Sequence, residues 1–165
     1  MQTQEAITKR RSIRKFLKKE IPKEIILKLL DAARLAPTAR NEQPWEFLVV
    51  SEPEKKRQIA NITGPNGAFI ADSSVCLAVF CLDTKYYLED GCAATENILL
   101  MAYDLGVGSC WVAGDKKPYC QATKEAFGVP EKYKLVSLIA LGYPQENSEN
   151  LSKKTLKEIT HWQSF

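Results

Sequence analysis

Residues 90–114, Asp90-Gly91-Cys92-Ala93-Ala94-Thr95-Glu96-Asn97-Ile98-Leu99-Leu100-Met101-Ala102-Tyr103-Asp104-Leu105-Gly106-Val107-Gly108-Ser109-Cys110-Trp111-Val112-Ala113-Gly114, decide how the chain folds. Ala93, Ala94, Asn97, Ile98, Met101 and Leu105 recur at three- and four-residue intervals, which predicts a long helix from about Glu89 with a single inward stripe. Asn97 is the odd polar member of that stripe. Gly106 supplies the left-handed residue that ends such a helix, and the short apolar piece Cys110 to Ala113 follows it.

Outward from this stretch the other elements fall into place. Val75 to Leu82 is apolar throughout and reads as a strand covered on both faces, and Trp45 to Val50 is aromatic and branched enough for another. Pro53 opens a short helix between them, followed by the loop Gly64-Pro65-Asn66-Gly67. Nearer the start, Ile25, Ile26, Leu29, Leu30 and Ala33 keep helical spacing between Pro22 and Pro37, and Thr3 begins a short helix that stops before Ser12. Toward the end, a helix from roughly Tyr119 to Phe127 is closed by Gly128 and Pro130, and Leu135 to Leu141 is the last clear strand. The polar stretch Gln145 to Ser152 leads to Leu156, Ile159 and Trp162, which need a cover. Either a partner subunit or the chain's own body provides it.

The 165 residues are 45% hydrophobic, show no internal repeat or linker, and predict one domain over 1–165. The net charge of +3, from 23 basic and 20 acidic side chains, demands neither nucleic acid nor a membrane as partner, so any basic site must be local. The polar start and short apolar runs predict a protein that is neither exported nor membrane-spanning. Cys76, Cys81, Cys92, Cys110 and Cys120 form an odd set without Cys-x-x-Cys spacing, which fits free thiols in the cytoplasm. With His161 the single imidazole, no ligand spacing supports a metal centre.

Two clusters carry the chemistry. Arg10-Arg11-Ser12-x-Arg14 gathers guanidinium groups and a hydroxyl at a helix end, a set that suits a phosphate monoester, although clustered arginines also form solvated faces. Pro37-Thr38-Ala39-Arg40-Asn41-Glu42-Gln43-Pro44-Trp45 is a rigid loop with a hydroxyl and side-chain amides that either read the edge of a heterocycle or satisfy their own backbone.

RRSIRKF at 10–16, PTARNEQPW at 37–45, the string at 90–114 and LIALGYP at 138–144, in that order and spacing, resemble the FMN-dependent nitroreductase family over nearly the whole chain. The resemblance implies an α+β, three-layer fold with a mixed or antiparallel sheet between helices and a C-terminal tail that extends onto a partner subunit. It further implies a homodimer with FMN at the subunit interface, taking hydride from NAD(P)H and passing electrons in ping-pong fashion to nitroaromatic, quinone or similar acceptors.

By the same resemblance Arg10 and Ser12 hold the FMN phosphate, Arg11 adds contacts, and Arg14 reaches the ribityl and pyrimidine side. Pro37, Thr38, Ala39 and Asn41 belong to the loop that reaches the flavin from the other subunit, with Ala39 lacking a hydroxyl that the family usually has. Asn66 aligns with an asparagine near the flavin or makes an ordinary turn, and Ala68 and Phe69 stand where relatives carry a long polar side chain. Trp111, Val112, Ala113 and Gly114 lie along one flavin face or form a plain core strand, with small residues allowing close approach. Lys153 closes over the phosphate. No side chain is needed as nucleophile or base, because the flavin carries the hydride chemistry. A non-catalytic FMN-binding sensor or storage protein is the alternative, and a nucleic-acid patch built on the same basic residues is a third reading.

Overall fold

The computed structural model describes residues 3–146 and 152–165. Helix α1 (Thr3–Lys9) is followed by α2 (Lys23–Arg34), strand β1 (Trp45–Val50), α3 (Pro53–Thr63), β2 (Val75–Leu82), α4 (Tyr87–Asp104), β3 (Gly108–Ala113), α5 (Cys120–Ala126), β4 (Tyr133–Gly142) and the short α6 (Leu156–Ile159). The four strands lie in the order β1-β2-β4-β3, and every neighbouring pair is antiparallel. A lone parallel bridge, Ser12 to Ser109, attaches the N-terminal segment to the outer edge of β3.

Alternation along the strands divides the interior in two. Leu77, Val79, Cys81, Ile139 and Leu141 face Leu29 and Ala33 of α2 and Ala94, Ile98 and Ala102 of α4. Cys76, Ala78, Phe80, Leu138 and Ala140 face Ile59 and Ala60 of α3, with Phe127 beside α5. β2 is therefore covered on both sides, as its unbroken apolar run predicts. A bulge between Val79 and Phe80 lets Val136 and Ser137 both turn toward α4, where the Ser137 and Thr95 hydroxyls meet at 2.8 Å.

The α4 stripe differs from the sequence expectation. Asp90, Gly91, Ala94, Thr95, Ile98, Leu99 and Ala102 are buried, whereas Ala93, Met101 and Leu105 are only partly so. The reason is that α4 is wedged between the sheet and α2, so its inward surface spans two sides rather than one line. Asn97 faces α2 and donates to the Ala32 carbonyl at 2.9 Å. Gly106 (φ +71°) ends the helix as expected, with the Val107 N–H donating to the Ala102 carbonyl at 2.8 Å.

No helix among the described residues is long and apolar enough to cross a membrane. Leu156, Ile159 and Trp162 stay exposed, Trp162 at 80%, so the chain's own body does not cover them.

Candidate functional site

The last turn of α1 ends where the basic cluster begins. The Arg10 N–H still donates to the Ala6 carbonyl, and the Arg11 guanidinium donates to the Thr8 and Arg10 carbonyls, each at 2.8 Å, which caps the helix C-terminus. The chain then turns onto the sheet: the Ile13 N–H donates to the Ser109 carbonyl at 2.9 Å, and the Leu17 N–H to the Tyr143 carbonyl at 2.8 Å. Backbone bonds to β3 and to the exit of β4 thus fix where Arg10, Arg11, Ser12 and Arg14 project.

These four residues line one cavity of about 590 Å³ together with Ile7, Thr8, Ile13, Lys15, Glu146 and Lys153. That volume suits a small molecule of cofactor size. Five of the lining side chains are basic and one is acidic, in a chain whose total charge is only +3. Glu146 is held by Lys15 at 2.8 Å, and Arg10 lies 4.0 Å from Glu96 on α4, leaving a clear cationic excess. Lys153, far away in sequence, reaches the same cavity. Burial pushes the Cys110 thiol above its ordinary value, while the charge of Arg14, the Ser12 hydroxyl and the charge of Arg10 pull it back.

Because Ser109 turns its carbonyl outward to Ile13, strand alternation turns the backbone groups of Trp111 and Ala113 the same way. The side chains have other tasks: Val112 is buried against the α3/α5 side, and Trp111 packs on the α2/α4 side. Gly114 donates its N–H to the Val136 carbonyl at 3.0 Å, and a Cβ there would lie 2.7 Å from Val136 backbone atoms. Its small size therefore answers a contact with β4. Ala113 is left as the exposed small residue of the segment.

The loop 37–43 lines no part of this cavity. It is tied instead to the first turn of α4, where the Thr38 hydroxyl donates to Asp90 Oδ2 at 2.8 Å and the Ala39 N–H to Asp90 Oδ1 at 3.0 Å. The Thr38 hydroxyl in turn accepts from the Gln43 N–H at 3.1 Å. Pro37 and Asn41 remain exposed. Asn66 closes a short 3-10 turn and is exposed, while Phe69, three residues on, lies against the Arg14 guanidinium. In one subunit the structure thus joins Arg10, Arg11, Ser12, Arg14 and Lys153, and leaves the Thr38 loop elsewhere.

Sequence reasoning missed Asp90, Glu96 and Lys15. Asp90 carries a readable signal, a carboxylate at an inward position of an otherwise apolar helix. Glu96 and Lys15 carry none, since exposed charges are common on any surface.

Comparison with known proteins places this geometry in a family. The "Nitroreductase family" model matches residues 7–70, and the "Putative TM nitroreductase" model matches 77–164. A "Putative NADH dehydrogenase/NAD(P)H nitroreductase" of Methanothermobacter thermautotrophicus is 38% identical, covering 89% of this chain and 80% of that protein. The "FMN reductase (NADPH)" of Bacillus subtilis is 25% identical, with 99% and 74% covered. The solved "FMN-dependent Nitroreductase" of Clostridium difficile R20291 superposes with a TM-score of 0.91 at 30% identity, covering 97% of this chain and 98% of that one. The chain belongs to the nitroreductase family.

Proposed function

We infer that this chain is an FMN-dependent NAD(P)H oxidoreductase of nitroreductase type, a single domain that works as a cytoplasmic homodimer with FMN between the subunits. The observation that carries the reading is the convergence of Arg10, Arg11, Ser12, Arg14 and Lys153 on one cavity. The donor set fits a phosphate monoester: several cations and a hydroxyl around a space of cofactor size.

Arg10, Ser12 and Lys153 hold the phosphate, Arg10 through a planar fork and Lys153 as a point charge on a mobile stem. Arg11, committed to the end of α1, keeps the segment in shape. Arg14 extends toward the ribityl and pyrimidine side, its charge favouring negative charge placed nearby. Trp111, Val112, Ala113 and Gly114 present backbone along one face, and the outward Ala113 N–H is the donor available there. Pro37, Thr38, Ala39 and Asn41 reach the site from the partner subunit, and Asn66 stands at its margin. When bound, FMN supplies hydride acceptance from NAD(P)H and ping-pong delivery of two electrons to a nitroaromatic, quinone or similar acceptor.

Purified protein should be yellow and carry one FMN per chain. It should oxidise NADH or NADPH when a quinone or nitroaromatic is supplied. A colourless chain that ignores added FMN overturns the reading, whereas a flavin-loaded chain that oxidises neither nicotinamide with any acceptor is a binding protein without turnover.

A further inference from the structure

Asp90 is 5% exposed, and among the described residues its carboxylate is met not by a cation but by the Thr38 hydroxyl and the Ala39 N–H of the 37–43 loop. We propose that Asp90 is a positioning residue of the FMN site, a buried anionic clamp that presets the 37–43 loop for contact with the flavin of the partner subunit. The inference rests on the FMN reading above and adds to it a residue that touches neither the cofactor nor the basic cavity.

Three observations support it. The loop holds three non-glycine residues in the left-handed region within four positions, Arg40 at φ +55°, Asn41 at +57° and Gln43 at +49°. Such conformations persist only where surrounding contacts over-determine them, and they gather at ligand clamps. A plain connection between α2 and β1 requires none of them. Second, both carboxylate oxygens are used, one on a hydroxyl and one on a backbone N–H, and the same hydroxyl receives the Gln43 N–H. Positions 38, 39 and 43 thus close on one buried charge while Asn41 and Glu42 project outward. Third, the clamp itself cannot shift: a Cβ at Gly91 would lie 2.7 Å from Val136 and 2.9 Å from the Cys81 sulfur, so the start of α4 is seated tightly on the sheet. The first turn of that helix also favours the negative charge.

Asp90→Asn removes the charge and one acceptor at nearly constant volume. FMN affinity, read by fluorescence quenching, should fall about tenfold or more in the variant homodimer, as expected for loss of hydrogen bonds to a charged group. Locating the defect requires a mixed dimer of one Asp90→Asn subunit and one Arg10→Ala subunit, isolated with two different affinity tags. Delivery of the loop across the interface leaves one site with an intact cluster and an intact loop, so the mixed dimer should bind one FMN at parental affinity. Local damage to the fold would instead weaken that site as well. Parental affinity in the Asp90→Asn homodimer, two weakened sites in the mixed dimer, or a monomeric chain would each overturn the proposal. Failure of the parent chain to bind FMN overturns the underlying functional reading as well, which distinguishes the two.

Discussion

The guanidinium carbon of Arg14 lies 5.7 Å from the centre of the Phe69 ring, joining the basic N-terminal segment to the turn that follows α3. Arg14 is exposed, and the ring limits where its charge can rest. Phe69→Leu keeps an apolar side chain and removes the π face. FMN should then bind about two- to fivefold more weakly, matching the ~0.5–1 kcal/mol of an exposed cation–π pair, and Phe69→Trp should restore it. Fluorescence titration of the two variants decides, and equal affinities would show that the ring only fills space.

Arg10 and Lys153 are expected to differ in weight. Arg10 is part-buried beside Glu96, so Arg10→Ala should weaken FMN binding by about 1.5–3 kcal/mol, the range for a charge-assisted bond. Lys153 is exposed, and Lys153→Ala should cost about 1 kcal/mol or less. Calorimetric titration with FMN checks the order, and a larger loss at Lys153 would contradict it.

Gly91 and Gly114 are each pressed against Val136, from the helix side and from the strand side. Adding a methyl group at either position overpacks the core, so Gly91→Ala or Gly114→Ala should lower unfolding free energy by about 1–3 kcal/mol. Urea melts followed by circular dichroism measure this without reference to cofactor.

Cys76 and Cys81 give the fold an alkaline limit. Burial pushes both thiols from 9.0 up to about 12. The folded chain therefore keeps protons that the unfolded chain releases, so the stabilisation is complete below pH 9 and is lost as pH rises toward 12. Each thiol contributes a slope of roughly 1.4 kcal/mol per pH unit inside that window. Cys76→Ala should be less stable than the parent at pH 8 yet flatter above pH 9, and parallel curves would show that its thiol is not the source.

The tail tests the dimer. Thr155 and Glu158 cap α6 reciprocally, so the helix is preset while Leu156, Ile159 and Trp162 stay bare. Removing residues from 155 onward should shift sedimentation toward the monomer and lower FMN content. A truncated chain that remains dimeric and yellow would mean that the tail has another task.

Much of this could be read from residue order, and the reason is local. β2 was legible from Val75 to Leu82 because a strand buried on both faces needs an unbroken apolar run, and the ends of α4 and α5 because Gly106 and Gly128 adopt the left-handed turn without a Cβ penalty. The basic cluster was legible because its four polar residues lie within five positions. Gly114 and the inward stripe of α4 were not, since each depends on what a distant element places opposite.

The sequence by itself determined most of the elements and the chemistry of the basic segment, because propensity, capping and charge act over a few residues, and its ordered motifs carried the resemblance to the nitroreductase family. Only the tertiary structure decided that Lys15 and Glu146 meet beside Arg10 in one cavity, that Gly114 answers to Val136, and that Asp90 grips the Thr38 loop. Those facts arise from sheet order and helix seating, which are settled by packing the whole chain at once.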